Sequence, residues 1–330
     1  MILLIGATSY IGHAFANGLR RRKDTFIPLS RKAFDYTEFE FLFDYVRKIR
    51  PTLIINAEEI GETVFENKEA DSEMLEAERM EMLHANTLLP QTIARVCSLT
   101  NTPWAHISSG SIYSGAKVVQ NGRLTVETDL GRGSLRQLFH SHPENFLGYT
   151  EHDEPNCSFK SHPFSFYSGT KALAEESIRQ YPQTYIWRMR LPFGECDEPM
   201  NFLSNLQNGF QLREGLNSVS HLDDCVSACL ELWEARADFG IYNVVNPGPV
   251  SVNQVIQMIR RIRKTSQRFQ LFVYESMPLS TEPVFPRSEC ILDNSKLARA
   301  GVKLRDARDA LEHALERWES RSAPRLMGLT

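Results

Sequence analysis

The sequence predicts an α/β protein, a doubly wound parallel sheet with a smaller carboxyl-terminal lobe. Short, wholly apolar runs suited to strands buried on both faces alternate with helical periodicities along most of the chain. The turns between them are short, which is the rhythm of parallel strands joined by crossover helices.

Residues 2–5 (ILLI) form the first apolar run, and Ile11, Phe15 and Leu19 then recur at helical spacing, so the chain opens as strand, tight turn, helix. Residues 25–29 (TFIPL) read as a second strand, FEFLFDYVRKIR as a helix and residues 51–57 (PTLIINA) as a third strand. An acidic stretch from Glu58 to Glu76 merges into a long helix ending near Cys97, and residues 103–108 (PWAHIS) are the next strand. From 116 to 163 the alternation stops and His, Asp, Glu, Asn and Gly dominate. A loop region that long inside a compact enzyme is usually functional, so a partly helical flap over the site is expected there. Order returns with the helix SFYSGTKALAEESIRQY, a strand at 185–191 (YIWRMRL), a helix at 221–235 and a final strand at 240–245. Two amphipathic helices, near 251–263 and 304–318, flank a Pro-containing stretch.

With 330 residues, 42% of them hydrophobic, the chain can bury a sizeable core. A net charge of −4 gives no general electrostatic reason to expect nucleic acid or an anionic membrane as partner. No stretch approaches the roughly 20 apolar residues that cross a bilayer, and the amino terminus enters a strand without the flank of a signal peptide, so a cytoplasmic protein is expected. The basic run from Arg20 to Lys23 reads as a solvated helix end. Six scattered cysteines with no CxxC pair point to free thiols, and Cys225 and Cys229 to small buried residues on one helix face.

The first turn carries the first functional signal. Where a parallel strand feeds a helix, backbone amides at the helix start face whatever sits above the strand ends, and small residues let a pyrophosphate approach. The turn holds Gly6, Thr8, Ser9, Tyr10, Ile11 and Gly12: Gly6 permits the bend, Gly12 lets the helix lie close on the sheet, and Ser9 stands where a middle glycine is usual. Its hydroxyl is small enough there to donate to phosphate. Ser30 and Arg31, at the end of the second strand, fall where a dinucleotide site meets the adenosine ribose, and an arginine there accommodates the 2′-phosphate of NADP(H) rather than favouring NAD(H). Asp35 either caps the adenine side or sits in the turn before the next helix.

Ser108 and Ser109 end a strand at the sheet edge where open α/β sheets bind ligands. Tyr167 and Lys171, four residues apart in YSGTK, share one helix face. A phenol is a poor acid at pH 7, and an ammonium beside it stabilises phenolate and brings proton transfer toward the working range. Such a tyrosine can protonate a carbonyl oxygen while hydride arrives from a nicotinamide. The histidines His140, His142, His152 and His162 lack metal-ligand spacing, and no metal is expected.

TEHDEPN followed by SFYSGTKALAEE, then RMRLP, NVVNPGPVS and PRSECILDNSKL, resemble an extended short-chain dehydrogenase/reductase of the nucleotide-sugar-modifying group. Within that group the chain is similar to dTDP-4-dehydrorhamnose reductases and to the UDP-4-keto-6-deoxyglucose 3,5-epimerase/4-reductases. The resemblance implies a Rossmann-type domain over residues 1–194, to which 221–247 return and into which 116–163 are inserted, and a substrate lobe of 195–220 and 248–330. It also implies that Tyr167 is the general acid, that Lys171 orients it and binds the nicotinamide ribose, and that Ser109 bonds the substrate carbonyl. Asn86 would support the site, Asn56 and Ala57 line the cofactor, Pro192 and Phe193 pass the nicotinamide amide, Asn201 and Phe202 begin the substrate lobe, and Arg287 clamps a diphosphate. Epimerising relatives carry a cysteine where this chain has Ser111, and a serine exchanges a carbon-bound proton poorly, so reduction alone is the favoured reaction. The resemblance leaves open a bifunctional epimerase/reductase, an NAD-recycling epimerase or dehydratase, and a regulatory subunit that binds NADP without turnover. A homodimer through helices flanking the long Glu73 to Cys97 segment follows family habit.

Overall fold

The computed structural model describes residues 1–61, 72–161, 165–209, 211–265, 269–272 and 289–319. Its centre is a six-stranded, wholly parallel sheet. In chain order the first four strands are β1 (Ile2–Ile5), β2 (Phe26–Leu29), β3 (Leu53–Asn56) and β4 (Trp104–Ser109), followed by β5 (Thr184–Met189) and β6 (Gly240–Asn243). Across the sheet they run β6, β5, β4, β3, β1, β2.

The apolar runs become strands because both faces of the sheet are covered. Ile2 and Leu4, Leu53 and Ile55, and Tyr185 and Trp187 face one core, shared with Phe15, Leu19, Val226 and Leu230. Leu3, Ile5, Ile54 and Ile186 alternate to the other, against Leu42, Val46, Leu89 and Ile93. Helix α1 (Tyr10–Arg22) and the helix Leu222–Glu234 therefore lie on one side, and Phe39–Ile49 and Leu89–Thr100 on the other. Cys225 and Cys229 are buried in the first core as free thiols. The basic end of α1 is tied down rather than merely solvated: Arg21 pairs with Asp223 at 2.9 Å, and Arg22 with Glu234.

From β1 the chain passes to β2 on one side and then returns to β3 on the other. That reversal opens a crevice at the carboxyl ends of β1 and β3, where ligands of such sheets sit. The carboxyl-terminal lobe has its own core, built from Phe193, Phe202, Leu203, Leu206, Val255, Ile256, Ile259, Ala310, Leu311 and Ala314. Among the described residues no helix is long and apolar enough to cross a membrane.

Among its described residues, the segment expected as a partly helical flap carries strands as well as a helix. Ala116–Gln120 and Arg123–Glu127 form an antiparallel hairpin, Phe146–Leu147 adds a third strand, and Gly133–Ser141 is a helix. The turn is Asn121-Gly122, both with positive φ (49° and 73°), as a tight two-residue hairpin requires. Its apolar side packs with Leu216 and Ile291, so the insertion rests on the lobe. The two are joined at Glu289, which is 1% exposed, accepts from the Gly131 amide at 3.0 Å and lies 3.0 Å from the Arg213 guanidinium.

Burial pushes the Glu289 carboxyl up to about 7, outweighing the pull of Arg213. The folded chain therefore holds a proton that the unfolded chain has already released, and this contribution to stability is lost as pH rises from the ordinary glutamate range, near 4.5, through about 7. Glu289→Gln removes the slope while keeping an acceptor for Gly131. Melting curves from pH 4.5 to 8 should show the variant gaining on the wild type by about 1–3 kcal/mol up to pH 7 and no further above it; parallel curves would refute the assignment.

Candidate active site

The crevice is shaped first by Gly6, whose φ is +73° and where a Cβ would stand 2.4 Å from the Glu58 nitrogen. At Gly12 a Cβ would meet the Gly6 carbonyl oxygen at 2.0 Å, so only glycine lets α1 lie this close to the turn. Ser9 caps α1: its Oγ accepts from the Gly12 amide at 2.9 Å and donates to the Ala57 carbonyl at 2.7 Å. The expected Ser9 bond to phosphate is thereby corrected, since the hydroxyl proton is committed to stitching the turn to the end of β3. Thr8 is exposed, Ile11 is buried in the core, and burial, with Glu198 nearby, pushes the Tyr10 phenol far above its ordinary range.

At the end of β2, Ser30 accepts the Ala33 amide through its carbonyl, and Arg31 is already engaged: its Nε lies 2.9 Å from Glu58 and its Nη1 3.8 Å from Glu81. Tyr36 donates to the other Glu58 oxygen at 2.8 Å. Asp35 takes the second of its two anticipated places: it is a turn residue, accepting from the amide and hydroxyl of Thr37 at 3.1 and 2.6 Å.

Tyr167 and Lys171 lie on the helix Phe166–Ile178, whose start is capped by Ser165. Both side chains are buried on one face, with the Lys171 ammonium 5.8 Å from the Tyr167 ring centroid. Lys171 donates to the Ile107 carbonyl at 3.1 Å, which hangs its charge on β4. A second partner was not foreseen. Glu59 Oε2 lies 3.1 Å from Lys171 Nζ and accepts from the Tyr167 hydroxyl at 3.4 Å. Beneath them, burial and the Lys171 charge hold His106 well below the usual imidazole range, so it is neutral, with Nδ1 3.2 Å from Asn56 Nδ2.

The helix is keyed to the sheet by a buried ion pair. Glu175 meets Arg188 of β5 through Nε at 3.0 and 3.1 Å and through Nη2 at 2.6 Å, and accepts from Ser108 at 2.5 Å. Burial works against the Arg188 charge, and the Glu175 carboxylate more than reverses it, raising the guanidinium above its ordinary range. Ser109 ends β4 and turns the chain into the short helix Gly110–Ile112, which packs against the Tyr167 helix. Ser109 Oγ bonds Ser111 Oγ at 3.0 Å, and Arg190 Nη1 reaches Ser111 at 3.0 Å.

Asn86 clamps the Ile60 backbone through its amide oxygen and nitrogen, both at 3.0 Å, and so holds the loop that carries Glu58 and Glu59. Ala57 donates its amide to Ile5. Pro192–Phe193 pair with Ser220–His221; the Phe193 ring is buried in the lobe core, while Pro192 is half-buried. Asn201 is a helix cap that also donates to the Gly194 and Cys196 carbonyls at 2.9 and 2.7 Å, and Phe202 is buried in the lobe core. Both side chains are thus engaged in capping and packing at the start of the lobe. Arg287 and His162 lie outside the described residues. Among the described residues no cluster of His, Cys, Asp or Glu suits a metal.

The glycine turn, the first-turn amides of α1 and the buried Tyr167–Lys171 pair fit a dinucleotide, provided that Glu58 and Glu59 release Arg31 and Lys171. Sequence reasoning missed Glu59, Glu175, Arg188 and Arg190. Two of these were signalled: arginines at alternate positions of the apolar run YIWRMRL point to one face of a buried strand, where charge demands partners.

Relatives include a trifunctional UDP-glucose 4,6-dehydratase/UDP-4-keto-6-deoxy-D-glucose 3,5-epimerase/UDP-4-keto-L-rhamnose-reductase of Arabidopsis thaliana, 26% identical over 81% of this chain and 35% of that one. The present chain thus spans about a third of that relative. A bifunctional dTDP-4-dehydrorhamnose 3,5-epimerase/dTDP-4-dehydrorhamnose reductase of the same plant is 26% identical over 81% of this chain and 77% of its own. Two solved structures share the fold. The UDP-rhamnose synthase of Acanthamoeba polyphaga mimivirus superposes with a TM-score of 0.74 at 19% identity, covering 96% of this chain and 99% of that one. The dTDP-4-dehydrorhamnose reductase of Bacillus anthracis, solved with NADP, gives 0.68 at 16% identity over 96% and 97%. The RmlD substrate binding domain model matches residues 1–320, nearly the whole chain, which therefore belongs to that family.

Proposed function

We propose that this protein is an NAD(P)H-dependent oxidoreductase that reduces the 4-keto group of a nucleotide-linked deoxysugar. The observation that carries this reading is the convergence of Tyr167 and the buried Lys171 on one helix face, packed against the strand end that bears Ser109 and Ser111. A pyridine nucleotide, when bound, supplies the hydride. The chain's own residues handle the proton: Tyr167 delivers it to the carbonyl oxygen, and Lys171, anchored on the Ile107 carbonyl, holds positive charge beside the phenolate that remains. Ser109 and Ser111 offer hydroxyls to the same oxygen.

NADP(H) is the favoured cofactor, with Arg31 as the cation for a 2′-phosphate once Glu58 lets it go. A nucleotide-sugar substrate is supported by what the plant and viral relatives act on, and Arg287 is proposed as its diphosphate clamp. A regulatory subunit without turnover is the weaker reading, because a binding scaffold has no use for Tyr167 and Lys171 in this arrangement.

Incubation with NADPH and a panel of nucleotide-linked 4-keto-6-deoxysugars should give turnover, with Tyr167→Phe slower by about 10²–10⁴-fold and its nucleotide affinity retained; consumption no faster than in the variant would refute the reading. Run in D₂O, the product should carry no deuterium at C3 or C5, since Ser111 replaces the epimerising cysteine, and label at either carbon would mark a bifunctional epimerase. Glu59→Gln weakens the hold on Lys171, so NADPH should bind the apoprotein about threefold to tenfold more tightly by fluorescence titration; unchanged or weaker binding would show that Glu59 does not compete with the nucleotide.

A further inference from the structure

The hairpin of the inserted segment ends in an open sheet edge. In its three-stranded sheet the strand Arg123–Glu127 lies outermost, paired on one side with Ala116–Gln120, and among the described residues nothing pairs with its other side. The two-residue turn makes Gln120 and Arg123 the first hydrogen-bonded pair, so Arg123, Thr125 and Glu127 direct their amides and carbonyls inward, and Leu124 and Val126 direct theirs outward. Natural sheet edges are blunted by proline, lysine or a bulge. This edge, RLTVE, has none of these, and its Leu124 and Val126 are 57% and 56% exposed. A Cβ on Gly122 would meet nothing within 4 Å, so the turn too stands clear.

We infer that this edge pairs with the same edge of a second copy of the chain, antiparallel and centred on Thr125, joining two three-stranded sheets into one of six. The sequence is self-complementary in that register. Leu124 exchanges backbone hydrogen bonds with the partner's Val126, and Val126 with the partner's Leu124, which uses every outward amide and carbonyl of both strands. Thr125 meets its own counterpart on the twofold axis, and Arg123 stands opposite the partner's Glu127 at each end of the seam. Sliding the strands by two residues in either direction sets Arg123 or Glu127 against Thr125 instead and leaves the charges unmatched. The Glu127 carboxylate is placed for this contact: Oε1 accepts from Gln120 Nε2 and Thr125 Oγ1, both at 3.1 Å, while Oε2 lies 3.6 Å from Arg132 Nη1, beyond hydrogen-bond length.

The same pairing continues an apolar face. Leu124 and Val126 share that face with Val119, Lys117 and, beyond Lys117, Leu147, opposite the side on which Ala116 and Val118 pack in the core. The Lys117 ammonium is drawn off by Asp153 at 2.6 Å. In the pair, the Leu124 and Val126 side chains of both copies form one apolar cluster across the seam, and each is covered along its open flank. An interface built on one strand from each copy is small, so the association is weak, with a Kd of about 10–100 µM. It is separate from any contact through the helices between Glu73 and Cys97, which lie outside this sheet.

Two charge-reversed variants of the full chain test the pairing by sedimentation equilibrium. Arg123→Glu alone and Glu127→Arg alone each set like charges opposite at both ends of the seam, and each should weaken self-association by about tenfold or more. Mixed one to one, the two variants restore both opposite-charge contacts, and the mixture should associate to within about threefold of wild type. Mere damage to the hairpin would not be repaired by mixing. In a Cys196→Ser background, which removes the one exposed cysteine, Thr125→Cys should give a cross-linked dimer under mild oxidation by diamide, because the two Thr125 positions face each other as a close pair. A wild type with no concentration-dependent association up to about 1 mM would overturn the inference. So would association that both charge variants keep unchanged, a mixture no tighter than its components, or a Thr125→Cys chain that forms no cross-link.

Discussion

Glu175 and Arg188 are each almost wholly buried and take up nearly every polar contact the other offers. Neither charge has water to fall back on, so any slip of the Tyr167 helix along β5 would strand two ions in the core. Such a pair adds little net stability compared with a well-packed apolar alternative, and its effect is to fix register. Glu175 stands one helical turn beyond Lys171 and two beyond Tyr167, and it also takes the Ser108 hydroxyl. Arg188 in turn donates to the Tyr113 hydroxyl and lies over that ring. The positions of the phenol, the ammonium and the serine turn therefore follow from a single charge match between one helix and one strand.

The loop after β3 supplies the opposite influence. Glu58 and Glu59 are adjacent in sequence, yet they reach in different directions, one to Arg31 at the rim and one to Lys171 in the floor. Arg31 and Lys171 are thus both satisfied internally. Asn86 holds the same loop by its backbone, so the carboxylates are presented rather than left to wander. On the proposed reading, a nucleotide would displace Glu58 from Arg31 and Glu59 from Lys171 as it binds.

The fold was legible because a parallel sheet buried on both faces leaves unbroken apolar runs such as ILLI and TLIIN, and few other structures do. Tyr167 and Lys171 were legible from helical spacing. The hairpin was missed although Asn121-Gly122 between AKVVQ and RLTVE states it plainly; the surrounding polar composition was given more weight than the turn chemistry. Glu59 was beyond reach, because a carboxylate in an acidic stretch looks solvated until the tertiary fold brings a lysine to it from more than a hundred positions away. Ser9 was read for its size, whereas its capping geometry decided what its hydroxyl does.

The helical run leading into Leu89–Thr100 is interrupted by a single π-turn, His84–Leu88, at which the Asn86 and Thr87 side chains both turn inward. Asn86 holds the Ile60 loop and also donates to Thr170 Oγ1 at 3.3 Å, and Thr87 donates to the Thr170 carbonyl at 2.8 Å, so consecutive residues tie this turn to the Tyr167 helix and one of them holds the loop as well. A single wide turn takes up one extra residue while the helix on either side keeps its phase. Excising one residue there would restore regular α-helical hydrogen bonds and leave the flanking turns in register, at the expense of these inward contacts. The length of this helix is therefore set at one turn by what Asn86 and Thr87 reach, even though its outer surface is open to solvent.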